Sequence, residues 1–236
     1  MTPLGKQTLL IVAAHPDDEA LGCAGLISRV KEEGGKVFVL FLTNGTTYDF
    51  TPRGISTATE REKEIENVAK FLKYDNYKIA FPGNKFHLQL DSALSQKDLM
   101  DEIERGSISM ETTRPTMIAF PNFSDYNQDH KAVAKASFAS CRPSPNNTKS
   151  VPKIVASYEH TTGGWGLEPS GQKNLFIQLS AKNLKDKIQA LKLYKSQVRK
   201  NPHPRSVEKI EALAKYRGAL CGAESAEAFY LHRIII

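Results

Sequence analysis

The chain has 236 residues, of which 40% are hydrophobic and 25% charged; these proportions suit one large domain and exclude intrinsic disorder or a collagen-like repeat. Its apolar stretch Leu9 to Ala14 falls far short of the ~18 residues of a membrane span, and no signal-peptide pattern is present, so neither a span nor secretion is expected. The net charge of +6 is local: Ala181 to Arg217 carries eleven Lys or Arg against three Asp or Glu.

In chain order, Thr8 to Ala14 is continuously apolar, as in a strand covered on both faces, and Ala20 to Glu33 has helical spacing that Gly34-Gly35 stops. Lys36 to Thr43 is a second buried strand and Ser56 to Leu72 a helix. Lys78 to Phe81 is a short strand, Gln96 to Ile108 a helix, and Thr116 to Phe120 a strand ended by Pro121. Asp129 to Cys141 is a further helix, and Val151 to Tyr158 resumes β character. After the aromatic loop Gly163-Gly164-Trp165-Gly166, Leu175 to Leu179 is a strand, and Leu184 to Val198 and Val207 to Leu220 are helices. Ala228 to Ile236 is expected as an edge strand. This alternation predicts an α/β, Rossmann-like fold. The expectation is a mostly parallel sheet with helices on both faces, in a single domain over residues 1–236, closed by a C-terminal helical and edge-strand extension.

Three scattered cysteines, Cys23, Cys141 and Cys221, form no CxxC pair, which points to reduced thiols and a cytoplasmic location. The basic segment is a solvated helical face or an attraction toward an anionic substrate or surface. No basic-aromatic RNA motif or zinc finger accompanies it, so a nucleic-acid partner is not expected.

In an open parallel sheet, ligands bind beyond the carboxyl ends of the strands. Two such junctions are rich in polar groups: Ala14-His15-Pro16-Asp17-Asp18-Glu19 and Asp125-Tyr126-Asn127-Gln128-Asp129-His130. Both have a purely structural account, since Pro16 followed by three acids, or Asn127 with Asp129, suits the start of a helix. Taken together they favour a metal site, because His15 and Asp18 lie three residues apart and His130 enters from the other junction. Two histidines and one carboxylate form a catalytic zinc set with a coordination position left open, whereas an all-oxygen set would suit magnesium.

HPDDEALGCAG at His15 to Gly25 resembles the opening motif of the LmbE-like, or PIG-L, zinc-dependent N-deacetylases, and SDYNQDH at Ser124 to His130 resembles their second motif. Arg61-x-x-Glu64, HPRS at His203 to Ser206, and Ala226 to Phe229 are similar to the family's later motifs. The resemblance implies Zn2+ (or another divalent transition metal) on His15, Asp18 and His130. It implies Asp17 as the general base acting on water activated by the metal, and an N-acetylglucosamine-type sugar or conjugate as the substrate. Many members have histidine three residues before the last ligand. This chain has Asn127, whose amide can donate a hydrogen bond to the oxyanion but cannot transfer a proton. Asp129 is expected to orient an adjacent ligand. Thr46 stands where the family often has glutamate. Arg61 and Asp91 resemble substrate-contacting positions, Arg61 having an ion pair with Glu64 as its alternative; His203, between two prolines, is a candidate to line the cleft and bind substrate, or else an exposed loop histidine. Trp165 is a candidate to stack on a sugar ring or to anchor its loop partly buried, and nothing is assigned to His87, His160 or His232. Two other functions stay open: a metal-dependent hydrolase of another amide, ester or phosphoester, and a non-catalytic sugar- or nucleotide-binding protein. The oligomeric state is not fixed by the sequence, and a homo-oligomer is left open.

Overall fold

The computed structural model describes residues 4–48, 50, 54–145, 149–162, 165–166 and 171–236, so Gly163 and Gly164 of the aromatic loop lie outside the described residues. In chain order the elements are β1 (Thr8–Ala13), α1 (Asp18–Glu32), β2 (Lys36–Asn44), β3 (Thr47–Tyr48), β4 (Ile55–Ser56), α2 (Ala58–Leu72), β5 (Asn76–Pro82), α3 (Leu90–Ala93) and α4 (Gln96–Arg105). There follow α5 (Met110–Thr113), β6 (Met117–Pro121), α6 (Gln128–Ser140), β7 (Ile154–Tyr158), β8 (Leu175–Gln178), α7 (Ala181–Leu193), α8 (Val207–Ala219) and β9 (Ala226–Ile234).

Seven strands form one sheet in the order β5-β2-β1-β6-β7-β9-β8. The first five pair in parallel, and β9 is antiparallel to both β7 and β8. Strand alternation feeds two apolar layers. Leu9, Ile11 and Ala13 pack with α1, α2 and α7 on one face, and Leu10, Val12 and Ala14 with α4 and α6 on the other. The apolar run of β1 is therefore continuous because both faces are covered.

Expected and observed elements differ in several places. The final strand is interior, not at the edge: it is hydrogen-bonded on both sides, and the edge is β8. Its second half, with residues alternating between half-buried and exposed, carries the edge-like pattern, while Ala226 to Tyr230 are buried. The helix expected at Leu184 to Val198 begins instead after Ser180, which with Asn183 forms a reciprocal cap, and it ends before Tyr194. The hairpin β3–β4 and the one-turn helices α3 and α5 are too short to produce a periodic signal.

Helix α1 lies close to the sheet at Gly22. A Cβ built there would stand 2.4 Å from the Tyr158 ring, so only glycine admits this approach. Among the described residues, no helix is long and apolar enough to cross a membrane.

Candidate metal centre and active site

Strand order reverses between β1 and β6: β2 and β5 lie on one side of β1, and β6 and β7 on the other. Such a switch point opens a crevice at the carboxyl ends of the two strands. Residues 14–19 leave β1 on one wall, and residues 122–130 leave β6 on the other.

The first wall is a tight turn. His15 N–H donates to Asp18 Oδ2 at 2.8 Å, and Asp17 takes φ 101°, ψ −23°, a left-handed conformation that strains a residue with a side chain. Glu19, wholly buried, takes the Asp17 N–H on Oε2 at 3.2 Å, and its Oε1 accepts from Tyr194 at 2.6 Å and Tyr74 at 3.1 Å. Burial pushes its carboxyl up to about 8, against the hydrogen bond from Tyr194.

His15, Asp18 and His130, all buried, offer ligand atoms that lie within 4.8 Å of one another. Each imidazole is held from behind by a carboxylate. His15 Nε2 meets Asp129 Oδ2 at 2.8 Å, which leaves Nδ1, 3.8 Å from Asp18 Oδ2, facing the group. His130 Nδ1 meets Asp125 Oδ2 at 3.0 Å, which leaves Nε2, 3.3 Å from Asp18 Oδ1. Carboxylates behind ligating histidines fix their tautomers in this way at metal sites. Asp129 thus reaches across the crevice to His15, not to the adjacent His130, and its other oxygen takes the Leu90 N–H at 2.8 Å.

The electrostatics call for a cation. Burial opposes a charge on His130, but Asp18 and Asp125 outweigh it and push the imidazole up to about 10. Burial would raise the Asp18 carboxyl, yet His130, His160 and His15 together hold it well below the usual carboxylate range. A third imidazole, His160, brings Nε2 to 3.4 Å from Asp18 Oδ1, and that buried nitrogen has no hydrogen-bond partner of good geometry. A mixed imidazole–carboxylate set with an orphaned nitrogen beside it fits a transition-metal ion such as zinc.

The cleft over this group has a volume of about 180 Å3. It is lined by Asp17, Thr47, Arg61, His87, Asn127 and Arg205, among others. Asn127 caps α6: its Oδ1 accepts the Asp129 N–H at 2.9 Å, so Nδ2 is the end left to donate. Arg61 is buried and locked, donating to Pro16 O at 2.9 Å and Thr47 Oγ1 at 3.2 Å. Glu64 takes the Ser196 N–H and hydroxyl instead of pairing with Arg61. Burial, with His15 and Arg61 nearby, pushes His87 down to about 3, so the ring is neutral.

The other expected positions lie elsewhere. Asp91 is exposed on α3, in a separate groove with Gln128 and Lys131. His203 is exposed; its Nδ1 accepts the Arg205 N–H at 3.0 Å and so braces the turn that carries Arg205 into the cleft. Trp165 is 80% exposed. Thr46 donates its N–H to Asn84, and its neighbour Thr47 faces the cleft. His232 stacks on Phe120 and bonds Ser157.

His160, His87, Asp125 and Arg205 carried no assignment from sequence. His160 stands just past the carboxyl end of β7, where the rule that singled out the other two junctions would also have found it. Arg205 lies inside the HPRS motif, a signal that marked the segment but gave the arginine no role.

A family profile described as PIG-L: GlcNAc-PI de-N-acetylase matches residues 10–141. The uncharacterized deacetylase YaiS of Escherichia coli K12 is 27% identical over 192 residues, covering 81% of this chain and 92% of its own length. The conserved protein TT1542 from Thermus thermophilus is 26% identical, aligned over 98% of this chain and 96% of its own with a TM-score of 0.71. An N,N′-diacetylchitobiose deacetylase from Pyrococcus horikoshii covers 98% and 86% with a TM-score of 0.69; at 17% identity the likeness is one of fold.

Proposed function

This chain belongs to the PIG-L family and is a deacetylase of that type, and from that premise we propose that it is a zinc-dependent hydrolase removing the N-acetyl group from an N-acetylglucosamine-type sugar or conjugate. The observation that carries this reading is the convergence of His15, Asp18 and His130, each imidazole backed by its own carboxylate, with Asp17 lining the same cleft.

His15 Nδ1, the Asp18 carboxylate and His130 Nε2 would hold the metal. Bound there, zinc supplies Lewis acidity, bringing the pKa of water toward ~7 and polarising an acyl oxygen. Asp17 accepts the proton of the attacking water. Its Oδ2 is engaged by Arg205 at 3.2 Å, so Oδ1 is the oxygen that takes the proton and later returns it to the departing amine. Asn127 Nδ2 donates to the developing oxyanion, and unlike an imidazolium it brings no charge and no proton. His160, beside the ligand group, presents a second donor to that region. Arg61, fixed at the opposite wall, is the contact for a substrate hydroxyl or phosphate.

The test pairs metal analysis with acetate release from a panel of N-acetylglucosaminides. Asp17→Asn should retain the metal and lose turnover, and His130→Ala should lose the metal. Full turnover by Asp17→Asn overturns the base assignment. A metal-loaded protein that releases no acetate from the panel, yet cleaves another amide, ester or phosphoester, overturns the substrate class.

A further inference from the structure

Asp17 is fixed twice, once through its backbone and once through its side chain. The backbone is held in the left-handed region at φ 101° by the bond from its N–H to Glu19. The side chain, 5% exposed, meets a single cationic partner among the described residues: Arg205 Nη1, 3.2 Å from Asp17 Oδ2. The same Nη1 donates to Gln197 Oε1 at 3.1 Å. Gln197 is itself buried, and its Nε2 donates to Ser56 Oγ at 3.2 Å and Ser196 Oγ at 3.0 Å. Ser196 ends the series on Glu64 of α2, giving its N–H at 2.7 Å and its hydroxyl at 2.6 Å.

A continuous run of hydrogen bonds therefore leads from α2, through the segment after α7, to the Asp17 carboxylate. The turn bearing Arg205 is closed locally: Arg205 N–H donates to His203 Nδ1 at 3.0 Å, Ser206 N–H to His203 O at 2.9 Å, and Arg199 N–H to Arg205 O at 3.3 Å. An arginine so anchored is not a mobile surface cation. Its carboxylate partner is nearly sealed from water, where an ion pair gains more than at a surface and a misplaced charge costs more.

We propose that Arg205 is a positioning residue: it holds Asp17 Oδ2 so that Oδ1 points at the attacking water, and Gln197 sets the angle of Arg205. The proposal rests on Asp17 being the general base. Arg205 touches neither the ligand group nor the acyl carbon in this role. It acts through Asp17, and its removal leaves the carboxylate present but free to turn. A displacement of about 1 Å in such a group is enough to lower turnover about 100-fold.

The experiment uses the metal-loaded protein and Arg205→Ala, Arg205→Lys, Gln197→Ala and Asp17→Asn variants. For the best substrate of the N-acetylglucosaminide panel, Arg205→Ala should lower kcat by about 10- to 100-fold with KM changed less than about twofold. Metal content should stay at the wild-type level. Added guanidinium should recover part of the lost kcat, and Arg205→Lys and Gln197→Ala should fall between wild type and Arg205→Ala. In a crystal structure of Arg205→Ala the Asp17 carboxylate should be rotated from its wild-type place, a readout that needs no substrate. An unmoved carboxylate overturns the proposal, as does a raised KM with unchanged kcat, which would make Arg205 a substrate anchor. If Asp17→Asn retains turnover, the base assignment falls instead, and the position of the Asp17 carboxylate in Arg205→Ala still decides whether Arg205 positions it.

Discussion

Tyr194, just past the end of α7, donates its hydroxyl to Glu19 Oε1 at 2.6 Å in the first turn of α1. Both side chains are fully buried, and the other oxygen of Glu19 holds the N–H of Asp17. Tyr194→Phe keeps the ring in the apolar layer and removes only this hydrogen bond. It should destabilise the protein by about 1–2 kcal/mol, measured by urea unfolding. A change near zero would mean that Tyr74 alone satisfies Glu19.

Asp129 joins two walls of the crevice, holding His15 through one oxygen and the Leu90 N–H through the other. Asp129→Asn preserves the shape and weakens the hold on the His15 tautomer. Metal affinity, read by competition with a chromophoric chelator, should fall about 10- to 100-fold. Unchanged affinity would remove Asp129 from the support of the site.

Glu104 of α4 gathers Arg142 and Lys149, both from the chain that follows α6. Burial alone would raise its carboxyl, but the hydrogen bonds from Lys149 and Arg142 outweigh it and hold it below the ordinary range. A depressed pKa contributes stability that is full above the unfolded glutamate value, ~4.3, and is lost as pH falls through the lower folded value. Glu104→Gln should therefore be less stable than wild type by about 1–2 kcal/mol at pH 7 and nearly equal to it at strongly acid pH. Parallel unfolding curves at the two pH values check this.

Gly22→Ala would push a methyl group into the Tyr158 ring, 2.4 Å away, and Tyr158 is fixed by its hydroxyl bond to Val12 O at 3.2 Å. Because the ring cannot withdraw without breaking that bond, the change should cost about 1–3 kcal/mol, visible as a lowered Tm.

The sheet and the meeting of His15, Asp18 and His130 were readable because their signals are local. Buried parallel strands write continuous apolar runs, and His15, Asp18 and His130 sit at the strand ends where ligands collect. Of their partners, Asp129 was readable as an orienting carboxylate, but the histidine it holds was not, and Arg205 carried no role. Asp129 bonds His15 across 114 positions, and Arg205 bonds Asp17 across 188, distances over which no periodicity speaks. Asp91 and His203 illustrate the opposite hazard. His203 belongs to a motif and Asp91 resembles a substrate-contacting position, yet the turn of the chain leaves Asp91 on another groove and gives His203 the task of holding a neighbour's backbone. The interior place of β9 was hidden because its outer half alternates as an edge strand does.

The backbone at Asp17 adopts a conformation that glycine enters freely and aspartate only under tension. Asp17→Gly would relieve about 1–3 kcal/mol of that tension and at the same time leave the Arg205 guanidinium without its carboxylate, so the gain in backbone freedom is set against a lost ion pair. A library sorted for heat resistance would therefore weigh a relaxed turn against an orphaned cation at this position, and the two contributions separate only when Asp17→Gly is compared with Asp17→Asn, which keeps the strain and removes the charge.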